Sequence, residues 1–240
     1  MYQFSWPKAN PIPGFARHQM APQITQLVGL NLSDAQLTLF ESAILGSLPP
    51  HQVSQYSWFE DNGFAFMGRT SSANAIVVAV GIGQGRRGGI ALNAGILDLR
   101  GAFQRQGIGK LLAKRLLSIS LSLGTESVRV SANMAHGSYV WALYGARPFH
   151  RSGVEAEIDR RINKLHQAGT WGLLEVNMSR NILYNKNNSN FMMDLARMKR
   201  GSRDLGYELL AQGVLPSWKW EGYWDLTDQA QCGLVDALLR

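Results

Sequence analysis

Gln104-Arg105-Gln106-Gly107-Ile108-Gly109-Lys110 places two glycines among polar and basic residues, where a strand-like apolar run gives way to a helix-like one. Glycine lets backbone approach a ligand closely. The first N–H groups of a helix have no intrahelical acceptor and carry partial positive charge. A turn of this composition at a helix start suits the oxygens of a phosphate or pyrophosphate. Two further sets of residues bear on group transfer. Tyr139 and Tyr144 lie on one short helix-like segment, and a phenol can hand a proton to a departing anion. Asp98 at a strand end and His136 in a later turn are able to accept one.

The elements that must position these residues follow from periodicity. Ile90 to Leu99 reads as a strand ending in Ile96-Leu97-Asp98-Leu99, and Lys110 to Leu117 has apolar residues at helical spacing. Ser127 to Ala132 alternates and is β-branched, as a half-buried strand does. Asn133 follows it, then a helix-like stretch from Gly137 to Tyr144, then Gly145-Ala146-Arg147-Pro148.

This order resembles the GNAT superfamily of N-acetyltransferases, whose pyrophosphate loop runs Gln/Arg-x-x-Gly-x-Gly/Ala. Gln104, Gly107 and Gly109 stand at the three fixed positions, and the resemblance spans roughly residues 64 to 148. It implies an α/β fold with a mixed central sheet flanked by helices, here with a helical C-terminal elaboration. It also implies acetyl-CoA as co-substrate and transfer of the acetyl group to a primary amine by direct attack in a ternary complex. The pantetheine arm then lies along Leu97, Asp98 and Leu99. The phosphates lie on Gln104, Arg105, Gln106, Gly107, Ile108, Gly109 and Lys110, with Asn133 completing the cofactor contacts. Protonation of the departing thiolate falls to Tyr144, with Tyr139 next.

Two positions depart from the pattern. Trp141 stands where the family places its proton-donating Tyr, and Asn93 where it often places a Glu. An amide cannot accept and hold a proton as a carboxylate does. The competing expectation is therefore a catalytically degenerate GNAT-like module that binds CoA or a protein partner.

The 240 residues, 45% hydrophobic and 17% charged, suffice for one sizeable core or two small domains. Cys232 is the single cysteine, which excludes an internal disulfide. The five histidines show no metal-ligand spacing, so no metal is expected. No apolar run is long enough to span a membrane, and the first residues lack a leader pattern, so a cytoplasmic protein is expected. The formal charge of +7 is compatible with a polyanionic cofactor and with an acidic acceptor such as aminoacyl-tRNA. A protein amine or a small amine fits equally. The basic run Arg197-Met198-Lys199-Arg200-Gly201-Ser202-Arg203 lacks interleaved aromatics and reads as a solvated helix end.

Organisation along the chain reads as an N-terminal arm and helix over 1–57, a GNAT-like core over 58–148, and a helical elaboration with sheet completion over 149–240. A Ser33-x-x-Gln36 capping box starts the first helix. Trp58 to Val80 reads as a hairpin. Gly83 to Gly88 satisfies Gly-x-Gly-x-x-Gly, but a strand rather than a helix follows, so 81–89 reads as a hairpin loop and not a dinucleotide site. Further on, Val154 to Gln167 reads as an amphipathic helix, Asn181 to Asn190 as a loop and Phe191 to Arg200 as a helix. Trp218 to Leu226 reads as a strand, and Thr227 as the cap of a final helix.

Overall fold

The computed structural model describes residues 10, 11, 22, 24–26, 29–45, 56–61, 63–70, 76–99, 106–132, 137–211 and 220–240. It is mixed α/β and divides into two compact units, 1–128 and 129–240.

In the first unit, β1 (Asn10–Pro11), β2 (Tyr56–Asp61), β3 (Phe64–Thr70), β4 (Ile76–Gln84) and β5 (Ile90–Leu99) pair antiparallel in that order. The expected hairpin over Trp58 to Val80 is thus parts of three strands. Helix α1 (Asp34–Leu45) starts as its capping box requires: the Ser33 hydroxyl accepts from the Gln36 N–H at 3.2 Å, and the Gln36 side chain accepts from the Ser33 N–H at 2.9 Å. Its Leu37, Phe40 and Ile44 are buried at helical spacing. Helix α2 (Ile108–Ser122) buries Ile108, Leu112, Leu116 and Ile119 along one stripe, with Ala113 and Leu117 beside it.

The β4–β5 turn is narrower than the loop expected over 81–89, because β4 continues to Gln84. No helix starts there, as the strand-like sequence after it requires. The turn instead seats a carboxylate. Glu126 accepts the Arg87 N–H through both oxygens at 3.2 Å. A Cβ on Gly85 would lie 1.8 Å from Glu126 Oε1, so only glycine leaves room for the carboxylate.

The second unit holds the sheet order β6 (Ser127–Ala132), β10 (Trp220–Asp225), β7 (Arg147–Pro148), with β6 running across the division between units. Its helices are α3 (Gly137–Leu143), α4 (Arg151–Gln167), α5 (Leu173–Leu183), α6 (Phe191–Ala196), α7 (Leu205–Leu210) and α8 (Gln229–Leu239). The expected helical elaboration is therefore present as α4 to α7. Ile158, Ile162, Leu165, Trp171, Phe191, Leu195 and Leu209 form the core around these helices. Arg161 is 1% exposed, and its guanidinium donates to the Leu209 and Ala211 carbonyls at 2.7 and 3.1 Å. It thereby satisfies groups that a helix end leaves open.

Three expectations are corrected. Helix α6 ends at Ala196, and the basic run after it folds as a two-stranded hairpin, β8 (Lys199–Arg200) with β9 (Arg203–Asp204). Gly201, at φ 59° in its turn, is the break that a helix over 191–200 overlooks. Helix α5 reaches Leu183, so the asparagine-rich loop starts later than 181. The cap of α8 is Asp228, whose carboxylate accepts from the Ala230 and Gln231 N–H groups, while the Thr227 hydroxyl donates to Asp225 at 2.6 Å.

Candidate functional site

In the first unit, β5 and the start of α2 hold the cofactor candidates. Val78 pairs with Leu97, Val77 with Asp98 and Ile76 with Leu99, which fixes the backbone of the candidate pantetheine edge. The side chains at 96–99 lie outside the described residues, as do Gln104, Arg105, Asn133 and His136. Asp98 is placed in the strand by its backbone alone. Opposite Ala79 and Val80 the register shifts by one residue, leaving Gly95 as the extra residue of a β-bulge on β5. Sequence reading passed over this feature, although a glycine inside a strand is its ordinary signal.

Gly107 adopts φ 76°, in the left-handed region that favours glycine, and forms the N-cap of α2 without a side-chain hydrogen bond. A Cβ there would meet nothing within 4 Å. The first turn contains no acidic residue, Lys110 is exposed, and Gln106 is exposed beside it. Buried Ile108 anchors the turn, and half-buried Gly109 follows. A fifteen-residue helix thus begins at a glycine that supplies no side-chain cap, and presents its first N–H groups beside a lysine. Such an end stabilises anionic oxygen.

Asn93 lies on β5 opposite Gly81. An amide therefore occupies the strand position at which the resemblance implies a carboxylate.

The tyrosines belong to the second unit. Tyr144 follows the last residue of α3, and its N–H closes on the Val140 carbonyl at 3.0 Å. Its ring meets Trp141 edge-on at 6.2 Å, and Trp141 meets buried Trp224 at 5.8 Å. Burial pushes the Tyr144 phenol up, so it is protonated at neutral pH. Its hydroxyl has no hydrogen-bond partner among the described residues, and its proton is available. Trp141, where the resemblance implies a tyrosine, is 9% exposed and serves the aromatic cluster.

Tyr139 is differently placed. Its hydroxyl donates to Asp204 Oδ2 at 2.9 Å, and its ring stands edge-on to Tyr207 at 5.2 Å. Burial, then the hydrogen bond and charge of Asp204, push its phenol up to about 12. Its proton is committed to a carboxylate. Asp204 was not singled out from sequence, because it stands 65 residues away in the chain.

Two arginines of the basic hairpin are neutralised by carboxylates of α5 and α7. Arg200 pairs with Glu175, and Arg203 pairs with Glu208 at 2.7 Å and reaches Glu175 at 3.7 Å. Arg197 and Lys199 are exposed. Among the described residues no group of three His, Cys, Asp or Glu could hold a metal ion, and no helix is long and apolar enough to cross a membrane. No family model matches the chain, and a search of curated proteins finds no match either.

Proposed function

We propose that this chain is a GNAT-like N-acetyltransferase that transfers the acetyl group of acetyl-CoA to a primary amine. The observation that carries the reading is the presence, in one unit, of a bulged β5 and of an α2 whose N-cap is the left-handed Gly107, which supplies no side-chain cap. The bulge leaves Gly95 without a residue opposite it in the ladder. It lies on the strand that would pair with the pantetheine arm and offer backbone N–H groups to the developing oxyanion. The α2 turn would hold the pyrophosphate through backbone donors and Lys110.

Acetyl-CoA supplies a thioester whose carbonyl carbon is attacked by the neutral amine. The new C–N bond forms, the C–S bond breaks, the nitrogen gives up one proton to water, and the departing thiolate takes one, leaving amide and free thiol. The resemblance assigns the thiolate's proton to Tyr144, whose phenol is kept protonated by burial and whose hydroxyl has no hydrogen-bond partner among the described residues. Tyr139 is a positioning residue, its proton held by Asp204. The acceptor is a protein amine, a small amine or the amine of an aminoacyl-tRNA. The last draws less support from the basic hairpin than from net charge, since Arg200 and Arg203 are engaged in ion pairs.

A second reading, a CoA-binding or interaction module without catalysis, is favoured by Asn93 and by the packing of Trp141 against Trp224. Thiol release from acetyl-CoA, measured with and without a panel of amines and RNAs, separates the two. Amine-dependent release supports the transferase. Stabilisation by CoA with no release under any amine supports the module, and absence of both overturns the GNAT-like reading.

A further inference from the structure

Asp204 lies in a basic segment yet forms an ion pair with no cation among the described residues. Its cross-strand partner Lys199 is exposed, Arg200 turns to Glu175, and Arg203 turns to Glu208 and Glu175. The carboxylate is half-buried and uses one lone pair on each oxygen. Oδ1 accepts the Tyr207 N–H and Oδ2 accepts the Tyr139 hydroxyl, both at 2.9 Å. A carboxylate oxygen has a second acceptor direction, so each retains one. Beside it stand the rings of half-buried Tyr139 and of Tyr207, the latter 39% exposed, packed edge to face.

A carboxylate next to two phenol rings has the chemistry of an organic-cation site. The charge attracts an ammonium, its spare lone pairs accept ammonium N–H groups, and the part-exposed Tyr207 ring offers aromatic surface for cation–π attraction. A metal ion is a poor fit, since a single carboxylate supplies too few hard ligands for calcium or magnesium. An anion is repelled. We infer that Asp204, Tyr139 and Tyr207 bind a primary ammonium group, which, resting on the transferase reading above, is the charged form of the acceptor amine or a second ammonium on the same acceptor. The Asp204 oxygens serve to hold the cation, so the cluster is a recognition site.

The test uses the full chain with tyrosine rings labelled with carbon-13, titrated with n-butylammonium chloride and, as the uncharged control, n-butanol. The ring signals of Tyr139 and Tyr207 shift saturably with the ammonium and not with the alcohol. Asp204→Asn keeps an amide oxygen for the Tyr207 N–H and remains a good helix cap, while its NH2 meets the Tyr139 hydroxyl, which turns to accept from it. It removes the charge and the acceptor facing Tyr139, and weakens ammonium binding about tenfold. Tyr207→Leu leaves the cap untouched and weakens binding about two- to fivefold. Equal titration of the wild type and Asp204→Asn, equal shifts with butanol, or no saturable shift overturns the site. The thermal shift produced by acetyl-CoA is measured on the same samples. Ammonium binding without that shift removes the transferase reading and leaves the site standing, whereas the shift without ammonium binding does the reverse.

Discussion

A phenol protonates a leaving thiolate only if its proton is not already held elsewhere. Tyr144→Phe is therefore expected to lower kcat and kcat/KM together, with acetyl-CoA stabilisation unchanged, as when an interaction made only in the transition state is lost. Steady-state kinetics beside a thermal-shift titration checks this, and unchanged turnover would move proton donation to water. Tyr139→Phe loses the hydrogen bond to Asp204 and should lower stability by about 1 kcal/mol in urea unfolding. The folded Tyr139 phenol, at about 12, lies above its ordinary value near 10. Its stabilising contribution is thus fully present below about pH 10 and lost as pH rises towards the folded value. The stability gap between wild type and Tyr139→Phe should close across that window. Sequence placed both tyrosines on one short helix but gave no means of ranking them by proton availability. Helical spacing says which way a side chain points and nothing about a carboxylate 65 residues further on.

At the scale of elements, the start of α2 is the piece to perturb. Gly107→Val places a β-branched residue at φ 76°, where non-glycine residues cost about 1–2 kcal/mol, although no neighbour blocks its Cβ. The sheet should remain folded while acetyl-CoA loses its stabilising effect, seen as an absent thermal shift in a protein of native far-UV spectrum. An undiminished shift would remove the phosphate assignment. Most elements were legible because local signals agreed with burial. Ser33 and Gln36 announced α1, and the alternation of Ser127 to Ala132 gave the full extent of β6. The failures have local causes. Thr227 and Asp228 are both cap formers, and the choice went to the residue whose carboxylate reaches two N–H groups. The run after Ala196 kept a helical look in its charges, but Gly201 turns the chain back and Glu175 draws Arg200 and Arg203 together. An ion pair across 25 residues leaves no trace in periodicity.

Over the whole molecule, the carboxyls among the described residues that are held below their ordinary range lie in one unit. Arginines hydrogen-bonded to Glu175, Glu208 and Asp228 hold those carboxyls below their ordinary range. In Glu155 and Asp159 burial pushes upward but is outweighed by Lys186 with Arg151, and by Arg180. All five lie in the unit 129–240. A depressed folded pKa contributes stability above the unfolded value, near 4, that is lost as pH falls through the folded one. Trp141, Trp171, Trp220 and Trp224 sit in the same unit, so the urea midpoint followed by tryptophan fluorescence should fall steeply below about pH 4.5. Glu175→Gln should flatten that fall, and an unaltered slope would assign the sensitivity elsewhere. The seat of Glu126 over the β4–β5 turn bears instead on the order of events during folding. The turn can close as soon as residue 90 exists, whereas Glu126 arrives 39 residues after Arg87, with α2 between them. Closing a loop of that length costs about 3 kcal/mol of chain entropy beyond a constant. The contact is therefore expected to form late, after the barrier has been crossed. Glu126→Ala should speed unfolding about fivefold and leave the folding rate unchanged in stopped-flow measurements. A matching fall in the folding rate would mean that Glu126 guides the hairpin home rather than locking it once it has arrived.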